Sequence, residues 1–125
     1  MVDDPANVQS LTRELLRFRD ERDWSQFHTL RNLIVSLNLE AAELLELTQW
    51  KSDDEVAKLA ENPTSAEALR DECADVLLYL LLIAEKAGFN LTEAAQRKIA
   101  KNALKYPVSR SYGTSRKYTE LGEDT

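Results

Sequence analysis

Two segments of the chain place pairs of carboxylates at the same spacing within otherwise apolar helical patterns. The first segment, NLEAAELLELTQW, contains Glu40 and Glu43, and the second, RDECADVLLYLLLIA, contains Glu72 and Asp75. At about 100° per residue around a helix, Glu40 and Asp75 each lie inside an arc of large apolar side chains. An ionised carboxylate in such surroundings is costly unless it is paired, binds a metal or takes up a proton.

The four acids together suit a hard cation. Two pairs on facing helices would form an oxygen-rich site of the kind that Mg²⁺ or Mn²⁺ prefers. Few cations share the faces that carry the acids: Lys86 lies far along its helix, and Arg31 is more than two turns from Glu40. His28 is the only histidine and Cys73 the only cysteine, which is too few for a zinc site or for a di-iron bundle with its Glu-x-x-His pairs.

A single E-x-x-E on a helix is common and is usually a solvated surface feature. The second pair at matching spacing, and the apolar surroundings of both pairs, favour a functional site. Two classes of function stay open: an enzyme that handles phosphates through a bound cation, and a helical interaction module whose acids bind a partner or a structural cation. An acidic patch that binds a partner should lie outside the apolar arc, whereas Glu40 and Asp75 lie within it.

Composition and charge narrow the class of protein. The length of 125 residues suggests one domain, and 43% hydrophobic residues exclude a disordered chain. The net charge of −6 argues against a nucleic-acid polymer as partner. The start MVDDPANVQS lacks the features of a secretory signal, and the uncharged run 76–84 is shorter than the roughly 20 residues of a membrane span. With a lone cysteine as well, we expect a cytoplasmic protein without a membrane partner.

The spacing of apolar residues predicts an all-α fold. Three glycines and three prolines leave few breaks, which favours long helices. We expect four helices, with a short helical piece in the polar connection between the second and third, at about 6–22, 30–50, 53–60 (the short piece), 64–88 and 90–105.

The expected helix ends carry local signals. Thr64 and Glu67 have the spacing of a capping box, and a similar start lies at Asn90. Gly88 suits the left-handed conformation that often ends a helix, and the last helix should stop before Pro107.

We expect these helices to form a four-helix bundle. A small all-helical chain often buries its remaining apolar surface against a second copy, so the bundle should be completed by dimerisation, or by a dimer of dimers. The bundle domain is expected to span residues 1–108, and residues 109–125 form a polar, aperiodic C-terminal tail.

Two further groups of side chains could contact a phosphorylated ligand. Lys98, Asn102 and Lys105 share one face of the fourth helix and could neutralise phosphate charge, although a solvated basic helix end explains them equally well. Trp24 and Trp50 could stack on a nucleobase, but aromatic residues at such positions more often pack a helix end.

The order of these motifs resembles a known family. E-x-x-E, then E-x-x-D followed by an apolar helix, then K-x-x-x-N-x-x-K-Y-P is similar to the MazG-like all-α nucleoside triphosphate pyrophosphohydrolases. Additional segments, spread over nearly the whole chain, resemble the dCTP pyrophosphatase branch of that family: ERDWSQFH, RNL, LTQWK, DVLLYL and SRKYTEL.

The resemblance implies Mg²⁺-dependent cleavage of a deoxynucleoside triphosphate between its α and β phosphates, with dCTP or a modified cytosine nucleotide preferred. It also implies a homodimer or homotetramer. By resemblance, metal ligation falls on Glu40, Glu43, Glu72 and Asp75. A metal-bound carboxylate would hold the attacking water, and we expect this to be Glu43 because it lies at the edge of the apolar arc. The residues implied near the nucleotide are Trp24, His28, Trp50 and Tyr79 at the pocket, Lys98 and Asn102 on the phosphate and sugar side, and Arg116 and Lys117 in the tail.

Two departures from the family pattern leave the base preference open. Some relatives carry a histidine at about the position of Leu15, and the connection at 51–65 does not match a fixed motif. A related all-α pyrophosphatase that acts on dUTP or on several deoxynucleotides therefore stays an alternative.

Overall fold

The computed structural model describes residues 7–122, and every regular element in that range is helical. In chain order the elements are α1 (Val8–Glu21), a 3₁₀ helix (Ser25–Phe27), α2 (Leu30–Glu46), α3 (Asp53–Ala57), α4 (Pro63–Ala87), α5 (Leu91–Lys105), α6 (Val108–Ser111) and a second 3₁₀ helix (Tyr118–Glu120). The predicted all-α class is confirmed. The predicted helix start at residue 6 lies outside the described residues, and completion of a four-helix bundle by dimerisation stays a prediction.

The chain divides into two compact units between Phe89 and Asn90. The first unit contains α1 to α4, and the second contains α5, α6 and the second 3₁₀ helix. The predicted limits of the domain, 1–108, and of the tail, 109–125, stay a prediction.

The core of the first unit lies where α2 packs along α4. Leu33 of α2 is only 2% exposed, and Leu81, Leu82 and Ala84 of α4 are buried as well. Leu59, which follows α3, completes the set of buried apolar side chains in the described range. Helix α1 also contacts α4, so both of the other long helices of this unit pack against α4.

The cap of helix α4 lies two residues earlier than predicted. Thr64 was expected to cap it, but the cap is Asn62, whose Oδ1 accepts from the backbone N–H of Thr64 at 3.0 Å and of Ser65 at 3.4 Å. Pro63 then occupies the first helical position, where its lack of an N–H costs nothing. Gly88 ends the helix with φ of 78°, as predicted.

Helix α2 ends at Glu46, not at Trp50 as predicted. Beyond Glu46 the backbone N–H groups donate to carbonyls three residues back instead of four, for example Thr48 to Leu45 at 2.9 Å. The Thr48 hydroxyl donates to the same Leu45 carbonyl at 2.7 Å, so a side chain competes for a carbonyl that a continuing helix would use. Trp50 then adopts a φ of 63°, which no α-helix accommodates.

In the second unit, Asn90 caps α5 as predicted, and its Oδ1 accepts from Glu93 N–H at 2.9 Å. The segment expected to be aperiodic contains α6 and the second 3₁₀ helix. The ring of Tyr118 lies edge-on to that of Tyr106, with centroids 5.9 Å apart, and the Lys105 ammonium lies 4.9 Å from the Tyr118 centroid. Ring and cation contacts therefore tie this segment to the end of α5.

No helix of the described range combines the length and the apolar character that crossing a membrane requires.

Candidate functional site

Three of the four predicted acids converge in the first unit. Glu40 and Glu43 of α2 and Glu72 of α4 each place a carboxylate oxygen within 4.8 Å of the others, and we call these three the carboxylate cluster. Glu40 and Glu72 are half-buried, whereas Glu43 is exposed. The packing of α2 against α4 thus brings together side chains that are at least 29 residues apart in sequence.

The cluster holds its acids in surroundings that disfavour negative charge. Burial, followed by the neighbouring carboxylate of Glu43 and the charges of Asp75 and Glu72, raises the pKa of Glu40 to about 7. Desolvation and Glu43, with a further contribution from Asp75, also raise the pKa of Glu72. Like charges in close proximity and partial burial both favour the protonated acids.

The cluster has free acceptors for a cation. Oε2 of Glu40 and Oε2 of Glu72 are buried, and each lacks a hydrogen-bond partner among the described residues. A buried carboxylate oxygen without a donor normally signals an ion, a water or a proton at that place. Because every nearby ligand atom is an oxygen, the acids fit a hard divalent cation better than a thiophilic metal.

A cavity of about 250 Å³ adjoins the cluster through Asp75. We call it the aromatic cavity; it is lined by Leu15, Phe18, Arg19, Trp24, His28, Asp75, Leu78, Tyr79 and Leu82. Asp75 thus faces a space with aromatic walls while its charge raises the pKa of both half-buried acids of the cluster.

The aromatic wall is held by local contacts at the end of α1. Trp24 meets Phe18 edge to face, with ring centroids 5.7 Å apart and an angle of 79° between the rings. The Arg22 guanidinium lies 3.7 Å from the Phe18 centroid. Asp23, with φ of 55°, makes the sharp turn that brings Trp24 back towards Phe18.

His28 closes another side of the aromatic cavity in a neutral state. Burial, and then the positive charges of Arg19 and Lys86, lower its pKa. Its Nδ1 is buried and has no hydrogen-bond partner within residues 7–122. The ring therefore keeps an unused polar atom that a ligand could satisfy.

The structure brings some of the predicted site residues together and leaves others apart. Trp24, His28 and Tyr79 line the aromatic cavity with Asp75. Trp50 does not line it: its side chain is 93% exposed in the turn after α2. The remaining predicted residues, Lys98, Asn102, Arg116 and Lys117, belong to the second unit. Within that unit Arg116 lines a cavity of about 350 Å³ together with Arg110.

Sequence reasoning missed several residues of the cavity. Phe18 was not singled out, and Leu15 was named only as the position where some relatives carry a histidine. Their three-residue spacing was nevertheless a signal that both side chains point the same way. Arg19 had no local signal, because its partner Glu85 lies 66 residues away.

The chain is similar to known proteins over most of its length. Residues 35–121 match the MazG-like family. The chain is 42% identical to mouse dCTP pyrophosphatase 1 over 118 residues, which cover 94% of this chain and 69% of the mouse protein. It is 40% identical to the human dCTP pyrophosphatase 1 over 114 residues, 91% of this chain and 67% of the human protein. The crystal structure of a pyrophosphatase from Archaeoglobus fulgidus matches with a TM-score of 0.73 and 44% identity, over 79% of this chain and 91% of that one.

The chain therefore belongs to the MazG-like family of all-helical proteins. Within that family its similarity is to the dCTP pyrophosphatases, and it is an enzyme of the nucleoside triphosphate pyrophosphatase class. This favours the enzyme over the non-catalytic interaction module that the residues alone left open.

Proposed function

We propose that this chain hydrolyses a deoxynucleoside triphosphate, dCTP or a modified dCTP, to the monophosphate and pyrophosphate, as a house-cleaning activity on the nucleotide pool. The observation that carries the proposal is the position of Asp75, which borders the carboxylate cluster on one side and the aromatic cavity on the other. This position supports a cation at the carboxylate cluster next to a base ring in the aromatic cavity, as the cleavage of a nucleotide requires. The names of the relatives support the choice of cytosine.

In this proposal Glu40, Glu43, Glu72 and Asp75 hold Mg²⁺, with Mn²⁺ as an alternative. The two buried oxygens without donors support this assignment. When bound, the cation neutralises phosphate charge, which lowers the barrier to attack by water. Glu43 is the exposed member of the cluster, so we assign it the role of orienting that water and accepting its proton.

The aromatic cavity takes the base. Trp24 offers an indole beside Phe18 for contact with a base ring, and Tyr79 and His28 offer polar atoms for its edge. Because Asp75 is assigned to the cation, the choice of a cytosine base over uracil is supported by the names of the relatives and not by this carboxylate.

We assign the phosphate and sugar contacts to the second unit, on the strength of the family motif. Lys98 and Asn102 of α5 would serve the phosphate and sugar side, and Arg116 and Lys117 would reach triphosphate oxygens. Arg116 supports this because it lines a cavity with a second guanidinium, that of Arg110, and paired guanidinium groups suit phosphate. Trp50 is the last residue of the proposed nucleotide-contacting set. Its indole is exposed and could contact a ligand or a second copy of the chain.

We further propose a cytoplasmic homodimer or homotetramer. Large apolar side chains remain exposed on α2 of the single chain, among them Val35 at 49% and Leu39 at 61%, which are one turn apart on the same face. A stable monomer rarely exposes such residues together, and self-association is the usual way to cover them.

The test is product analysis. The purified full chain is incubated with each common dNTP and NTP, with and without Mg²⁺. We expect monophosphate and pyrophosphate as products, no turnover without metal, and the highest rate with dCTP or a modified dCTP. A faster rate with dUTP, or equal rates with several dNTPs, would replace the cytosine assignment by the broader alternative.

Matched variants on one helix make the result specific. Glu43→Ala should abolish turnover because it removes a cluster carboxylate, whereas Glu46→Ala, which lies outside the cluster on the same helix, should not. If the folded wild-type chain binds metal but releases no pyrophosphate from any nucleotide, the proposed function is wrong.

A further inference from the structure

Arg19 makes a contact that joins two helices of the first unit. Its guanidinium Nη1 donates to Oε2 of Glu85 on α4 at 3.1 Å, while its Nε donates to Oδ1 of the adjacent Asp20 at 2.8 Å. The Arg19 side chain is only 13% exposed, compared with 38% for Glu85 and 58% for Asp20. An ion pair with one well-buried partner and two directed hydrogen bonds holds its geometry better than a solvated surface pair.

The backbone of the same residue fixes the aromatic wall. The carbonyl of Arg19 accepts from Trp24 N–H at 3.1 Å and from Arg22 N–H at 3.2 Å. Trp24 is the indole of the aromatic cavity, and Arg22 covers the ring of Phe18. A single residue thus anchors the turn that carries the wall and links that turn, through its side chain, to α4.

Arg19 also lies between two cavities. Besides the aromatic cavity, a polar cavity of about 270 Å³ is lined by Arg19, Ser25, His28, Leu33, Leu82, Glu85 and Lys86. Arg19, His28 and Leu82 line both spaces and so form the partition that separates them. A displacement of Arg19 would change the width of the aromatic cavity on its α1 side.

We propose that Arg19 and Glu85 act as a positioning pair that holds the α1 wall of the aromatic cavity at its distance from α4 and thereby sets nucleotide affinity. This inference rests on the proposed function. Neither side chain belongs to the carboxylate cluster, so the pair acts on the binding of the nucleotide and leaves the chemical step alone. Loss of interactions made equally in the ground and transition states raises KM and leaves kcat unchanged.

The experiment is a double-mutant cycle on the Mg²⁺-loaded full chain with the fastest nucleotide substrate. Arg19→Gln, Glu85→Gln and the double variant are compared with wild type for kcat, for KM and for the Kd of the α,β-imido analogue of that substrate, measured by titration calorimetry. Asp20→Asn is the matched control, because it removes a carboxylate partner of Arg19 while leaving the link to α4 in place.

We expect each single variant to raise KM and Kd about three- to tenfold with little change in kcat, as loss of a partly buried ion pair would do. The double variant should be no weaker than the singles, since both remove the same link, and Asp20→Asn should stay near wild type. The melting temperature of each variant, measured alongside, confirms that the assays report on folded protein.

The outcomes separate this inference from the proposed function. If wild type turns over no nucleotide, the proposed function fails and this inference falls with it. If wild type is active but the single variants keep its Kd, or their effects simply add, or kcat falls at constant KM, the positioning role alone is wrong.

Discussion

At the scale of single residues, the acids of the cluster are held in an unfavourable state that a cation would relieve. Glu40 is half-buried beside Glu43, close to Glu72 and Asp75, and has an oxygen without a donor. Such an arrangement destabilises the folded chain when the acids ionise, and binding of a cation would offset this loss of stability. Its energetic cost should therefore be visible in the metal-free protein.

The pH dependence of stability should report Glu40. Its pKa is raised from 4.5 to about 7, so between these values the folded chain binds more protons than the unfolded chain. The free energy of unfolding of the metal-free protein must then fall as the pH rises through this window. Urea unfolding in EDTA from acid to neutral pH checks this, and Glu40→Gln should flatten the fall. A Glu40→Gln profile parallel to wild type, like the one expected for Glu46→Gln, would contradict the assignment.

Metal affinity should depend on the same acids. Glu72→Gln keeps the size of the side chain but removes a charge and one ligand oxygen from the cluster. Loss of an outer-shell partner costs about tenfold or more in metal affinity, and loss of a ligand should cost at least as much. Calorimetric titration with Mn²⁺ measures the change. Wild-type affinity in Glu72→Gln would remove this residue from the proposed ligand set, and Glu46→Gln serves as the control for lost charge.

Part of this site could be predicted from the sequence, for a physical reason. The three-residue spacing of Glu40 with Glu43, and the position of Glu40 inside an apolar arc, are properties of one helix and can be read locally. The contact of Arg19 with Glu85 depends on how two distant helices pack, and no local pattern encodes it. The exposure of Trp50 was missed because it depends on where α2 stops.

At the scale of the helices, α4 carries one side of both candidate sites, and its start is fixed by Asn62. Replacing an Asn cap by Ala costs about 0.5–2 kcal/mol, because N–H groups of the first turn lose their acceptor. Asn62→Ala should therefore lower the free energy of unfolding by about that amount. Thr64→Ala, at the position that sequence reasoning favoured, should stay within about 0.5 kcal/mol. Thermal or urea unfolding distinguishes the two, and a larger effect at Thr64 would restore the predicted cap.

The helices themselves were easier to predict than their ends. All four long helices were foreseen because apolar spacing persists over many residues. The end of α2 was not, because it follows from a hydroxyl of Thr48 that competes for one carbonyl. The start of α4 was predicted two residues too late because Asn62 and Thr64 are both good caps. Pro63 favours Asn62 as the cap, since proline is well suited to the first position of a helix.

At the scale of the whole molecule, exposed apolar side chains on α2 argue for self-association. Leu39→Glu would place a charge in any interface formed by the face of α2 that carries Val35 and Leu39. This charge should weaken or abolish the assembly. Light scattering coupled to size exclusion should give a multiple of 14.2 kDa for wild type and a smaller mass for the variant. Glu61→Lys, a charge change at an exposed polar position, is the control. A wild-type mass of 14.2 kDa would contradict the assembly itself.

The contrast between the two tryptophans gives this chain two built-in optical reporters. Trp50 is held at a positive φ and is almost fully surrounded by solvent, whereas Trp24 is 43% exposed and lies against a phenylalanine edge. An indole in water emits at longer wavelength and is quenched readily by acrylamide. Replacing Trp50 by Phe would leave a single emitter inside the aromatic cavity. Replacing Trp24 by Phe would leave Trp50 as the single emitter, and its indole would be shielded from solvent only when a ligand or a second copy covers the turn after α2. Two single-tryptophan variants could thus follow occupation of the cavity and coverage of the surface in separate signals.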